Sequence, residues 1–205
     1  MLGLVNYGSG NYQSVCNALD FLSIDYLEIN TAQDLASASH IILPGVGAFN
    51  DCMTRLKDTN LLDDLKREVL ENQKLFLGIC VGHQILMSWG TEFEEKEGLG
   101  WIPGITKKLA PTDRLPVPHI GWTEVNHNGA NGLFKNIHPG ATFYFVHSYY
   151  TATKNNEDVL ATARYGDEFP VAIQRDNIFG VQFHPEKSQE NGLQLLRNFS
   201  ELKGI

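Results

Sequence analysis

The first half of the chain alternates short apolar runs with stretches of helical spacing, and this rhythm restricts the fold more than any other feature. Residues 2–6 have the pattern of a buried strand that leaves into the tight Tyr7-Gly8-Ser9-Gly10 loop. Residues 11–22 then place Val15, Ala18, Leu19 and Leu22 at helical spacing. Further strands are predicted at residues 26–29, 41–43 and 75–79, with helices over 49–56, 61–70 and 81–89. Strands alternating with helices predict a parallel sheet covered on both faces.

After Gly98 the rhythm changes to shorter strand-like stretches with turn residues, at 123–125, 143–150, 159–165, 171–174 and 178–183. These read as an antiparallel extension of the same sheet in the C-terminal half. A last helix is predicted over 188–202, with Leu193, Leu196, Phe199 and Leu202 on one stripe. No repeat, low-complexity tract or linker interrupts the chain. The expectation is an α/β fold: one domain over residues 1–205, with a mixed, mostly parallel central sheet flanked by helices.

Composition narrows the function classes. With 205 residues, 42% of them hydrophobic, the chain can bury a real core. The formal charge of -8 disfavours general nucleic-acid binding, because such a surface repels phosphate backbones. No segment approaches the roughly 20 apolar residues of a membrane span, and the first ten residues do not read as a secretion signal. Cys16, Cys52 and Cys80 are an odd number with no C-x-x-C pair, so a disulfide framework is not expected and a reducing cytoplasm is. The seven histidines are scattered without metal-ligand spacing, and no metal or cofactor is expected.

The strongest chemical signal is Gly78-Ile79-Cys80-Val81-Gly82-His83-Gln84, directly after an apolar strand and before a helix. A nucleophile there sits on a sharp strand-to-helix turn, with glycines where side chains would crowd it. The helix start favours a thiolate and supplies N–H groups for an oxyanion. Against this stands the ordinary fate of a free cysteine, a small buried hydrophobe. The second signal is Gly180-Val181-Gln182-Phe183-His184-Pro185-Glu186. A thiol needs a base, the base needs an orienting group, and Glu186 stands two residues beyond His184 across a stiff proline. The third is Leu43-Pro44-Gly45-Val46-Gly47-Ala48-Phe49, whose peptide N–H groups can face an oxyanion or simply connect a strand to a helix.

Together and in this order, these segments resemble the class I (triad) glutamine amidotransferases, over essentially the whole chain. The resemblance implies glutamine as substrate, Cys80 as nucleophile, His184 as base and then acid, and Glu186 as the orienting carboxylate. It also implies Val46, Gly47 and the Val81 N–H around the oxyanion, with Gln84, His147, Ser148 and Tyr149 holding the substrate. Within the family, the Asn6-Tyr7-Gly8-Ser9-Gly10-Asn11 opening, Pro118-His119-Ile120-Gly121-Trp122 and Tyr144-Phe145-Val146-His147-Ser148-Tyr149-Tyr150 are similar to the glutaminase subunits of imidazole glycerol phosphate synthases. So is Gln182-Phe183-His184-Pro185-Glu186-Lys187-Ser188. That likeness implies a heterodimer with a (β/α)8-barrel cyclase subunit, with ammonia passing between them and Asn11, His119, Trp122, Tyr144 and Lys187 toward the partner. His83 and Thr123 depart from the usual methionine and asparagine at their positions.

Other readings stay open at this level. A paralogous glutaminase feeding amidine formation on a nucleotide-activated surface sugar would share most of these motifs. A cysteine peptidase or γ-glutamyl hydrolase would share the Cys80 turn but would not need the opening loop or the Pro118–Trp122 stretch. A non-catalytic subunit binding through the same surface would not need Cys80, His184 and Glu186.

Overall fold

The computed structural model describes residues 1–110, 115–129 and 132–204. The predicted alternation is present: β1 (Leu2–Val5), α1 (Tyr12–Phe21), β2 (Tyr26–Ile29), α2 (Ala32–Ser37), β3 (His40–Leu43), α3 (Phe49–Asp58), α4 (Leu62–Lys66) and β4 (Leu75–Ile79). α5 (Val81–Gln84), β5 (Trp89–Gly90), β6 (Lys96–Glu97), β7 (Gly104–Lys108), β8 (His119–His127) and β9 (Ala141–His147) follow. The chain ends with β10 (Tyr149–Thr153), β11 (Val159–Tyr165), β12 (Asp167–Arg175), β13 (Ile178–Val181) and α6 (Gln189–Glu201).

A nine-stranded sheet has the order β2-β1-β3-β4-β13-β12-β11-β8-β9. The strands from β2 through β13 pair in parallel, and β12, β11, β8 and β9 extend the sheet antiparallel. Parallel strands need cover on both faces, and β1, β4 and β13 are buried at every position. α6 closes one side with Leu195, Leu196 and Phe199 fully buried; Leu193 and Leu202 of the predicted stripe are only partly buried.

The structure corrects several expectations. The helix predicted over 81–89 stops at Gln84, because the chain leaves it to pair Trp89 with Ile105 and Glu97 in a separate four-stranded sheet, β10-β7-β5-β6. The single strand predicted over 143–150 is two strands in different sheets, parted at Ser148. The predicted helix over 61–70 is α4 continued by a wider π turn, Arg67–Glu71. α2 was not predicted, although it starts on a capping box: Thr31 Oγ1 accepts the Asp34 N–H at 3.2 Å and Asp34 Oδ2 accepts the Thr31 N–H at 2.8 Å.

Candidate active site

Two neighbouring parallel strands deliver the reactive side chains. β4 and β13 pair with Gly78 opposite Gly180 and Ile79 opposite Val181. The Cys80 N–H then donates to the Val181 carbonyl at 2.8 Å. Both strands thus end at one edge of the sheet, one running into Cys80 and the other into His184. In open α/β sheets the crevice beyond the carboxyl ends of the strands is where ligands bind.

Cys80 has φ 53° and ψ −106°, a conformation that L residues avoid and that persists only when the surroundings impose it. The imposition comes from close backbone packing. A side chain at Gly78 would overlap the Gly82 carbonyl, and one at Gly82 would overlap the Leu43 carbonyl. The Cys80 carbonyl accepts the His83 and Gln84 N–H groups at 3.1 and 3.0 Å. Val81, at the first helical position, has no intrahelical acceptor for its own N–H.

Facing this turn, the His184 and Glu186 side chains are fully buried, with Nδ1 of the ring 2.7 Å from Glu186 Oε1. An ionised carboxylate only accepts, so Nδ1 carries the proton and Nε2 is left for the thiol side. Nε2 has no hydrogen-bond partner among the described residues. Burial works against charge on the ring, but the Cys80 sulfur and the Glu186 carboxylate more than offset it, and the His184 pKa is pushed up to about 10. The arrangement favours a protonated ring at His184. Behind it, Asn11 Nδ2 donates to Glu186 Oε1 at 3.0 Å and Ser9 Oγ donates to Asn11 Oδ1 at 2.6 Å.

Cys80, 3% exposed, and His184 share the wall of a cavity of about 390 Å³. Val46, Gly47, Val81, Gln84, His147, Ser148 and Tyr149 complete most of its lining, so the structure gathers the whole expected oxyanion and substrate group. The volume is within the range of small-molecule sites. Gly47 has φ +94°, and the loop that holds it is anchored where the Tyr7 hydroxyl donates to the Pro44 carbonyl at 2.7 Å. Gln84 spends its amide on the wall, donating to the Tyr149 carbonyl at 2.8 Å and to Gln182 Oε1 at 3.0 Å.

Sequence reasoning missed Glu92, which also lines the cavity. Its neighbours Glu94, Glu95, Lys96 and Glu97 make the stretch read as a solvated charge run. In the fold, Glu92 Oε2 accepts the Phe49 N–H at 2.8 Å, and burial raises its pKa above the usual carboxylate value.

Trp122 (46% exposed) stands against Tyr144 with ring centroids 5.9 Å apart, and Lys187 is exposed nearby in sequence to the triad segment. Asn11 and His119, expected toward a partner, are each only 2% exposed. The amide of Asn11 is taken by Glu186 and Ser9. The His119 ring is on the inner side of β8 between His147 and Thr123. His83 is wholly buried too, with Nε2 3.0 Å from Thr151 Oγ1 and its ring against Gly180, where any side chain would overlap it.

Residues 4–202 match the family described as Glutamine amidotransferase class-I. The chain is 43% identical to the imidazole glycerol phosphate synthase subunit HisH of Leptospira borgpetersenii, covering 98% of this chain and 100% of that one. It is 44% identical to the HisH subunit of Moorella thermoacetica, covering 98% and 94%. Among solved structures, one titled as a glutamine amidotransferase superposes with a TM-score of 0.75 at 20% identity, over 97% of this chain and 96% of that one. PurLQS from Thermotoga maritima gives 0.71 at 19%, over 97% and 96%. At those identities the two structures speak to the fold alone.

Proposed function

Since this chain belongs to the class I glutamine amidotransferases, we propose that Cys80, His184 and Glu186 are its catalytic triad and that it is the glutaminase subunit of an imidazole glycerol phosphate synthase. The observation that carries the chemistry is the strained Cys80 turn at the end of β4, sharing one cavity with a Glu186-oriented His184 at the end of β13. The assignment to that synthase rests on identities of 43 and 44% to HisH subunits along almost the full chain. Residues 1–205 act as one domain.

Cys80 Sγ attacks the side-chain amide carbon of glutamine. The oxyanion that forms is stabilised by the Val81 N–H and by peptide N–H groups of the Val46–Gly47 loop, donors fixed before charge develops. His184 gives its proton to the departing nitrogen, which leaves as ammonia, and a thioester remains on Cys80. Water then adds to the thioester with His184 taking its proton, and glutamate and the free thiolate are released. Glu186 keeps the ring in one tautomer and one orientation through both steps. The Ser148–Tyr149 backbone and Glu92 receive the amino-acid end, the carboxylate of Glu92 suiting the α-ammonium group.

Ammonia is used by a (β/α)8-barrel cyclase subunit, docked on the face that carries Trp122, Tyr144 and Lys187. The half-exposed Trp122 beside Tyr144 supports that side as the docking face. The thiol nucleophile and three free cysteines suit the reducing cytoplasm. Among the described residues no helix is long and apolar enough to cross a membrane.

Co-expression with the cyclase tests the proposal. Cys80→Ala is expected to abolish glutamine-dependent synthesis while synthesis from added ammonia persists. Glutamine turnover that survives this change removes Cys80 from the mechanism, and a purified complex with a different kind of barrel enzyme overturns the pathway.

A further inference from the structure

A chain of four hydrogen-bonded groups runs from β8 into the glutamine pocket. Thr123 Oγ1 is 2.8 Å from His119 Nε2, His119 Nδ1 is 2.9 Å from His147 Nε2, and His147 Nδ1 is 2.8 Å from the Tyr149 carbonyl. The same carbonyl accepts the Gln84 amide at 2.8 Å. His147, Tyr149 and Gln84 line the cavity, whereas His119 and Thr123 do not.

The far end of this chain fixes its polarity. A carbonyl can only accept, so His147 Nδ1 carries the proton, and the Nε2 of a neutral ring must then accept. His119 therefore donates from Nδ1 and accepts at Nε2, and the Thr123 hydroxyl donates. Burial keeps both rings neutral, pushing the pKa of His119 down to about 4 and that of His147 to about 3. The His119 ring cannot turn away, because it is stacked between Tyr165 (centroids 4.1 Å apart) and Phe145 (5.0 Å).

The backbone is shaped to make the contact. Four residues of extended strand span about 13 Å, too far for Thr123 to reach the His119 ring. Between them Gly121 departs from extended backbone with a φ of +142°, which favours glycine although nothing lies within 4 Å of where its Cβ would be. At the other end, Ser148 is the crossover from the nine-stranded sheet to the four-stranded one. Two donors converge on the carbonyl immediately beyond it.

We propose that His119 is a positioning residue for glutamine binding: through His147 it fixes the Tyr149 carbonyl, and with it the Ser148–Tyr149 backbone that receives the amino-acid end of the substrate. This rests on the glutaminase reading given above. Loss of the His119 donor leaves a buried His147 acceptor unpaired, and the pocket wall loses its register while the triad stays intact.

The test uses the complex of the chain with its cyclase and full glutamine kinetics. His119→Phe keeps the stacking but removes the donor; KM for glutamine is expected to rise about tenfold, the size of one buried hydrogen-bond defect, with kcat falling less than about threefold. His119→Asn, which can still donate toward His147, is expected to recover most of the loss. In case the phenylalanine variant fails to fold, Thr123→Val probes the same chain from its outer end. There KM is expected to rise about threefold because His119 Nε2 loses its donor, and ¹⁵N imidazole spectra of the unaltered protein are expected to show a single Nδ1–H tautomer of His119. A KM within twofold of the original in the variants that fold, an asparagine variant no better than phenylalanine, or an Nε2–H tautomer at His119 in the unaltered protein would each overturn the proposal. An unaltered complex that fails to hydrolyse glutamine sinks the parent reading as well; turnover with an unmoved KM sinks only this one.

Discussion

Asn11 Nδ2 donates to Glu186 Oε1 at 3.0 Å, tying the start of α1 to the carboxylate that orients His184. Oε1 thus serves two donors, while Oε2 is buried with no partner among the described residues. The amide of Asn11 is what keeps the correct oxygen toward the ring. A hydrogen bond to a charged group is worth about 1.5–3 kcal/mol, so Asn11→Leu is expected to lower kcat for glutamine by about 10- to 100-fold. Steady-state assay of the complex checks this; an unchanged kcat would deny Asn11 any part in holding the triad.

The raised pKa of His184 carries a pH signature. Cys80 and Glu186 hold the proton on the ring against the effect of burial, up to about pH 10. On the proposed mechanism, the proton that departing ammonia takes from His184 is therefore present at neutral pH and is lost only on the alkaline side. A pKa raised on folding also stabilises the fold: that contribution is complete below pH 6.5 and disappears as pH rises through about 10. Glu186→Gln removes one of the groups that raise the pKa. Its alkaline limb of kcat is expected to move to lower pH, along with a drop in rate. A limb that stays in place would show that the carboxylate does not set the charge on the ring.

The parts of this site that were legible in the sequence are those fixed by local backbone chemistry. The apolar runs before Cys80 and His184, and the glycines around the first, mark strand ends whose turns are set within a few residues. Their adjacency depends on β13 entering the parallel part of the sheet beside β4, which no local pattern encodes. Glu92 was hidden because its role depends on the start of α3, 43 positions earlier, coming within reach of its carboxylate. The resemblance implies that Asn11 and His119 face a partner, and polar residues are usually exposed, so no local signal marks either as buried. Both are buried, their polar atoms being paired by residues distant in sequence. The short α5 and the strand break at Ser148 have one cause, a second sheet assembled from pieces too short to leave a periodic signal.

Gly47 offers a test of the oxyanion loop. Its φ of +94° is unfavourable for any residue with a Cβ, yet no atom lies within 4 Å of where that Cβ would sit. Gly47→Ala therefore costs backbone conformation rather than space, about 1–2 kcal/mol. The expected response is a shift of the loop to another backbone state, with kcat reduced about tenfold and KM little changed. If kcat is unaffected, the present conformation of this loop is not what stabilises the transition state.

Glu92 should set how tightly the amino end of glutamine is held. Its Oε2 is occupied by the Phe49 N–H, and the side chain contributes to the cavity wall. Glu92→Gln keeps an oxygen for the Phe49 N–H, so the start of α3 stays capped while the negative charge disappears. Loss of one charge-assisted contact to the substrate ammonium corresponds to about a tenfold rise in KM, with kcat much less affected. The unaltered protein should show a related effect on acidification. Burial raises the Glu92 pKa, so the carboxylate is neutralised at a higher pH than a solvated one, and KM climbs as pH falls through that point. In Glu92→Gln the same acid-side climb should be missing. Parallel KM–pH curves for the two proteins would mean that the ammonium group is held by something other than Glu92.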